Sequence, residues 1–106
     1  MGRPQADGDP FRAIADPTRR KIIELLFERP RTAGELANSF TTCQSTVSEH
    51  LGILRRAALV SYTEHAGRRI YTLAPSPLTE IATWSAQYAR PRRSESLERT
   101  AKISRA

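Results

Sequence analysis

Residues 32–73, TAGELANSFTTCQSTVSEHLGILRRAALVSYTEHAGRRIYTL, decide the fold. Thr32 followed three residues later by Glu35 is a capping box, set ahead of Leu36, Ala37 and Phe40. The helix it opens can run only about two turns, because the polar Ser39–Thr42 interrupts the apolar pattern. A second box, Thr41-Thr42-Cys43-Gln44, is expected to open the next helix, over about Cys43–Ala57. Its inward face is Val47, Leu51 and Leu54, at helical spacing. Two short capped helices across a turn of about three or four residues make a helix-turn-helix. Leu59–Glu64 and Arg68–Leu73 read as strands, with Tyr62, Ile70 and Tyr71 in them and His65-Ala66-Gly67 turning between them. The stretch therefore predicts an α+β, mostly helical domain: a winged helix-turn-helix with a two-stranded β-hairpin wing.

Upstream, a short helix is expected over Pro10–Ala15, with Phe11 and Ile14 on one side. Asp16-Pro17 restarts helix, Asp as N-cap and Pro at the first helical position. Ile22, Ile23, Leu25, Leu26 and Phe27 then form a wide apolar stripe that stops before Pro30, while Arg19, Arg20 and Lys21 read as a solvated face. Downstream, Pro75 and Pro77 close the hairpin, and Leu78, Ile81, Ala82, Ser85 and Tyr88 line one side of a last helix beside Trp84, ending before Pro91. The organisation expected is a flexible start over 1–9, a single domain over 10–89, and a basic tail over 90–106, helical around Leu97–Ile103 or else disordered. So small a body cannot absorb both terminal helices. Phe11, Ile14, Ile81, Trp84 and Tyr88 are accordingly expected to meet a second copy, giving a homodimer that dimerises through its N- and C-terminal helices.

The chain has 106 residues, 17 basic and 11 acidic, for a net charge of +6. That balance suits a polyanionic partner. The excess is concentrated in Arg90–Ala106, where six basic side chains face two acidic ones, so the body is only weakly basic. A single cysteine, Cys43, excludes an internal disulfide and fits a reducing compartment. No segment approaches the roughly 18–20 apolar residues that span a bilayer, and MGRPQADGDP lacks the apolar centre of a signal peptide. A cytoplasmic protein with no membrane partner is expected.

The second helix of a helix-turn-helix presents its first turns to base edges. Here the outward residues are Gln44, Ser45, Thr46, Ser48 and Glu49. Gln pairs with adenine through two hydrogen bonds, Ser and Thr bond base edges or phosphates, and Glu accepts from the cytosine amino group. Arg68 and Arg69 at the hairpin tip suit phosphates or a narrow minor groove. Arg55 and Arg56 meet the C-terminal end of the helix dipole. These features predict a binder of double-stranded DNA; the competing reading is a winged helix that docks on another protein. Catalysis has no support: Cys43, His50 and His65 form no nucleophile–base–orienter set, with Cys43 and His50 about two turns apart on one helix. Nor do they have metal-ligand spacing, so no metal or cofactor is expected. Cys43 at a helix N-terminus is a candidate thiol sensor, the alternative being a small half-buried filler.

FRAIADPTRRKIIELL, TAGELANSF, QSTVSEHLGILRRAALV, GRRIYTL and PLTEIATWSAQYA together resemble the ArsR/SmtB family of winged-helix repressors across residues 11–89. The resemblance implies a dimeric bacterial repressor with its recognition helix at about Cys43–Ala57, its wing at about Tyr62–Tyr71, and DNA-reading positions at Gln44, Ser45, Ser48 and Glu49 with Arg68 or Arg69. The family's metal sensors carry ligands in helices matching Ala33–Phe40 or Leu78–Ala89, and neither segment here holds a Cys or His. That implies the non-metal branch, whose inducers are diverse, so the effector stays open. Cys43 stands where Ser is common, Glu49 where Arg, Lys or Gln is frequent, and Ala58 where the family has Gly.

Overall fold

In the computed structural model, which describes residues 8–89, five helices and a hairpin follow one another. They are α1 (Pro10–Ala13), α2 (Pro17–Glu28), α3 (Ala33–Ala37), α4 (Gln44–Arg56), β1 (Val60–His65), β2 (Arg68–Leu73) and α5 (Ser76–Ala89). The expectations for the basic tail and for residues 1–7 lie outside the described residues. Three N-caps follow the sequence signals. The carboxylates of Asp9 and Asp16 accept from the backbone N–H groups of Phe11 and Arg19, each with Pro at the helix start. Thr32 and Glu35 close their box in both directions, at 3.1 and 2.8 Å.

The fourth cap differs from expectation. The box at Thr41 does not form; both threonines lie in the turn, and α4 begins at Gln44 with Cys43 as N-cap. The inward face of α4 behaves as its spacing predicts. Val47, Leu51 and Leu54 lose all solvent contact in one cluster with Ile22, Leu36 and Leu59. The stripe on α2 is narrower than it reads. Ile22, Leu25 and Leu26 are buried, but Phe27 is 80% exposed, since it lies about 140° round the helix from Ile22.

Arg19 is not part of a solvated face. Its guanidinium turns inward to the carbonyls that end α1. Arg20 donates to the Ile14 carbonyl at 2.7 Å while staying exposed, and Lys21 is exposed 3.8 Å from Glu24. The sequence gives no hint of the role of Arg31. Its backbone exchanges two hydrogen bonds with Tyr71, adding a one-residue bridge to the hairpin, and its half-buried side chain caps α2 through the Leu25 carbonyl and Glu28.

The wing is an antiparallel pair in which Val60 faces Leu73, Tyr62 faces Tyr71 and His65 faces Arg68. The connection is the two-residue turn Ala66-Gly67, with φ of 53° and 77°; both residues left-handed is the type I′ geometry that matches strand twist. Helix α4 ends in a Schellman motif: the Leu59 N–H bonds the Leu54 carbonyl and the Ala58 N–H bonds the Arg55 carbonyl, each at 2.9 Å. Ala58 therefore occupies the left-handed position, φ 61°, that glycine fills without strain. Replacing Ala58 with Gly should raise stability by about 1 kcal/mol. Urea titration of the two proteins measures this, and a lower midpoint for the glycine variant would refute it.

Candidate nucleic-acid interface

Burying Val47, Leu51 and Leu54 turns the opposite face of α4 outward. Gln44, Ser45, Ser48 and Glu49 are exposed on it, as the sequence predicts, while Thr46 is half-buried. Thr46 differs because its hydroxyl turns back to the N-cap, 3.4 Å from the Cys43 sulfur. Gln44 and Ser48 share an open cleft of about 520 Å³ with Gly52, Arg55, Arg68 and Arg69, walled by α4 on one side and the wing on the other. Ser45 and Glu49 lie outside that cleft. Gly34 borders it from α3, and a Cβ there would stand 3.3 Å from the Gln44 side-chain oxygen. A side chain at 34 would thus make the end of the Gln44 side chain give way by a few tenths of an ångström.

The two wing arginines are not equivalent. Arg69 lies 4.2 Å above the Tyr62 ring and 3.9 Å from the Glu64 carboxylate, all three on one face of the hairpin by its register. Arg55 reaches the same ring from α4 at 5.7 Å, so Tyr62 joins the wing to the recognition helix. The Arg68 side chain is exposed at the cleft mouth and makes no ion pair or hydrogen bond among the described residues. The stacking of Arg55 and Arg69 on Tyr62 is the part of this site that sequence reading missed. The signal was present in the alternation of the hairpin, since a two-residue turn fixes which side chains share a face.

Cys43 is exposed, and its sulfur lies 3.0 Å from the Ser45 hydroxyl. The hydroxyls of Ser45 and then Thr46, joined by the Thr46 backbone N–H, favour the thiolate and lower the thiol to about 6. The sulfur nonetheless falls short of capping geometry at the first turn of α4. Among the described residues no three His, Cys, Asp or Glu side chains converge on a point that could hold a metal ion, and no helix is long and apolar enough to cross a membrane.

A recognition helix held face-out beside a basic hairpin defines a winged helix-turn-helix DNA-binding protein. Comparison with known proteins agrees. Residues 16–62 match the model for "Bacterial regulatory protein, arsR family". The chain is 38% identical over 74 residues to the transcriptional repressor SdpR of Bacillus subtilis, spanning 70% of this chain and 82% of that protein. It is 40% identical over 73 residues to the transcriptional regulator Rv2034 of Mycobacterium tuberculosis, covering 69% and 68% of the two chains. The crystal structure of the ArsR family regulator RHA00566 superposes with a TM-score of 0.67 at 28% identity, over 73% of this chain and 85% of that one. That of M. tuberculosis Rv0081 gives 0.60 at 32%, over 91% and 89%. The chain belongs to the ArsR family and is a DNA-binding transcriptional regulator; the family and these relatives are regulators rather than enzymes.

The lowered thiol makes a direct forecast. Alkylation of Cys43 by iodoacetamide should rise with pH to a plateau with its midpoint near pH 6, because only the thiolate reacts. Ser45→Ala should shift that midpoint upward. A midpoint near the ordinary thiol value of about 8.5 would show that the two hydroxyls do not hold the anion.

Proposed function

We propose that the protein is a repressor that grips a pseudo-palindromic operator as a homodimer, each recognition helix entering one of two successive major grooves about 34 Å apart. The observation that carries this reading is the shared cleft, which brings the outward polar residues Gln44 and Ser48 of α4 to the same opening as Arg68 on the wing. Gln44 and Ser48, with Ser45 and Glu49 beside them, are the base readers. Glu49 adds selectivity for cytosine at a cost in phosphate repulsion. Thr46, half-turned toward Cys43, suits a phosphate contact. Arg68 grips the backbone directly, whereas Arg69, held on Tyr62 and Glu64, mainly stiffens the wing.

The dimer seam falls on α1 and α5. The Phe11 ring meets Trp84 edge-on at 5.6 Å and Trp84 meets Tyr88 at 5.5 Å, yet Trp84 stays 53% and Tyr88 69% exposed in the protomer. No residue of α5 is buried at all, although Ile81 lies on the same helix and Ile14 on the adjoining turn. An apolar helix left in that state supports closure by a second copy. Neither α3 nor α5 carries a Cys or His, and that residue chemistry is the basis for placing the protein in the non-metal branch of the family. Cys43 is the candidate for thiol-linked control, since an adduct there would stand at the very start of the reading helix. Acting on bacterial DNA, the protein would work in the cytoplasm.

Selection of genomic fragments by the purified protein supplies the operator, and gel shifts then test the roles. Gln44→Ala should cost about 1–3 kcal/mol on the operator and little on random duplex. Arg68→Ala should weaken both kinds of DNA and flatten the slope of log K against log salt by about one unit, with Arg69→Ala losing less. Failure of Gln44→Ala and Ser48→Ala alike to change operator binding would sink the assignment of α4.

Sedimentation equilibrium tests the seam. Trp84→Ala should weaken dimer association at least tenfold, as loss of a large aromatic anchor does. The protomer fold should persist, because the ring is already half in solvent. A wild type that is monomeric at micromolar concentration would contradict the homodimer.

A further inference from the structure

Arg19, on α2, divides one guanidinium between two other helices, α1 and α4. Its Nε donates to the Ala13 carbonyl at 2.7 Å and one terminal nitrogen to the Arg12 carbonyl at 3.3 Å, both at the C-terminal end of α1. The other terminal nitrogen lies 3.1 Å from His50 Nδ1 on α4. The Arg19 backbone N–H is itself fixed, donating to the N-cap carboxylate of Asp16. Arginine N–H groups only donate, so in this contact Nδ1 accepts and the His50 proton sits on Nε2.

His50 stands next to Glu49 and two residues beyond Ser48, on the flank of α4 between its buried and its DNA-facing sides. The apolar face of α4 fixes the helix against rolling by burial, but burial has no direction and tolerates a small tilt of the axis. The bond from Arg19 has direction, and it is anchored on α1. Helix α1 in turn carries Phe11, which packs on Trp84. A short run of contacts therefore connects the seam to the recognition helix: Trp84, Phe11, the α1 carbonyls, Arg19 and His50.

We infer that the Arg19–His50 pair is a latch that fixes the tilt of α4 relative to the dimer seam, making His50 a positioning residue that sets the half-site spacing the dimer accepts. This rests on the dimeric, operator-binding reading above. The lever is long enough to matter. Gln44 lies six residues from His50, so a tilt of about 10° moves the Gln44 end by about 1.6 Å, roughly half the rise of a base pair. Burial of Val47, Leu51 and Leu54 alone would tolerate such a tilt, and each protomer would then accept more than one spacing.

The test uses the full-length protein and four duplexes: the selected operator, the same operator with one base pair inserted or removed between half-sites, and a lone half-site. His50→Leu deletes the acceptor while keeping bulk. His50→Asn places an amide oxygen near the position of Nδ1, and His50→Gln carries it past that position. Wild type should prefer its own spacing by about tenfold. His50→Leu and His50→Gln should fall to about twofold with half-site affinity unchanged, while His50→Asn restores the preference; should the leucine variant unfold, the glutamine variant carries the comparison. A His50→Leu or folded His50→Gln protein as selective as wild type would overturn the latch, as would His50→Asn no more selective than His50→Leu. A wild type that binds only as a monomer, or shows no spacing preference, would remove the dimeric reading and the latch with it, a result distinct from failure of the variants alone.

Discussion

Val47, Leu51 and Leu54, set one helical turn apart along α4, are closed off from solvent in the same cluster as Ile22, Leu36 and Leu59. Full burial of side chains of this size is worth roughly 1.5–3 kcal/mol each, an upper figure because unfolded chains already hide some apolar surface. Rolling α4 by half a turn would forfeit that burial and bring Gln44, Ser48 and Glu49 into an apolar interior without partners. The orientation of the reading face thus follows from the core. The rest of the DNA-binding side is built around it: α3 packs under the start of α4, and the Schellman motif at Ala58 swings the chain directly into β1.

Charge on this surface cannot be understood by counting. Arg19 and Arg31 spend their guanidinium groups on backbone carbonyls, holding helix ends together. Arg55 and Arg69 approach the two ends of one link through Tyr62. Arg68 is the arginine presented at the cleft without such ties among the described residues. Arginine suits the internal roles because it stays charged and its planar fork can serve several acceptors at once. A weakly basic body therefore still presents a positive edge where the wing meets α4, while Arg19 and Arg31 act as structural clamps.

The same division runs through the control of the molecule. Helix α4 has at its N-cap a thiol that neighbouring hydroxyls lower to about 6 and at its middle a hydrogen bond with direction, while its own hydrophobic face tolerates small tilts. Helix α5 has no buried residue, and its aromatic side is tied to α1 through Phe11. Whatever covers α5 would press on the part of the structure that carries Arg19.

Local chemistry determined most of the architecture. The caps at Asp16 and Thr32, the alternation of the hairpin, and the spacing of Val47, Leu51 and Leu54 are interactions within a few residues, so they can be read from neighbours in the chain. The outward set Gln44, Ser45, Ser48 and Glu49 followed from that spacing. The inward turn of Arg19 toward His50, 31 residues away, could not be read, nor could the bridge of Arg31 to Tyr71 or the reach of Arg55 from α4 to the Tyr62 ring. Phe27 and the box at Thr41 looked right locally and failed: Phe27 lies about 140° round α2 from the buried Ile22, and α4 begins at Gln44 with Cys43 as its N-cap. A long charged side chain can reach many partners, and only the packed fold decides which carbonyl, ring or imidazole lies within its reach. The elements and their faces were legible in the sequence, since those depend on backbone periodicity; tertiary structure alone decided which arginines turn onto the protein's own carbonyls and rings and which stay exposed.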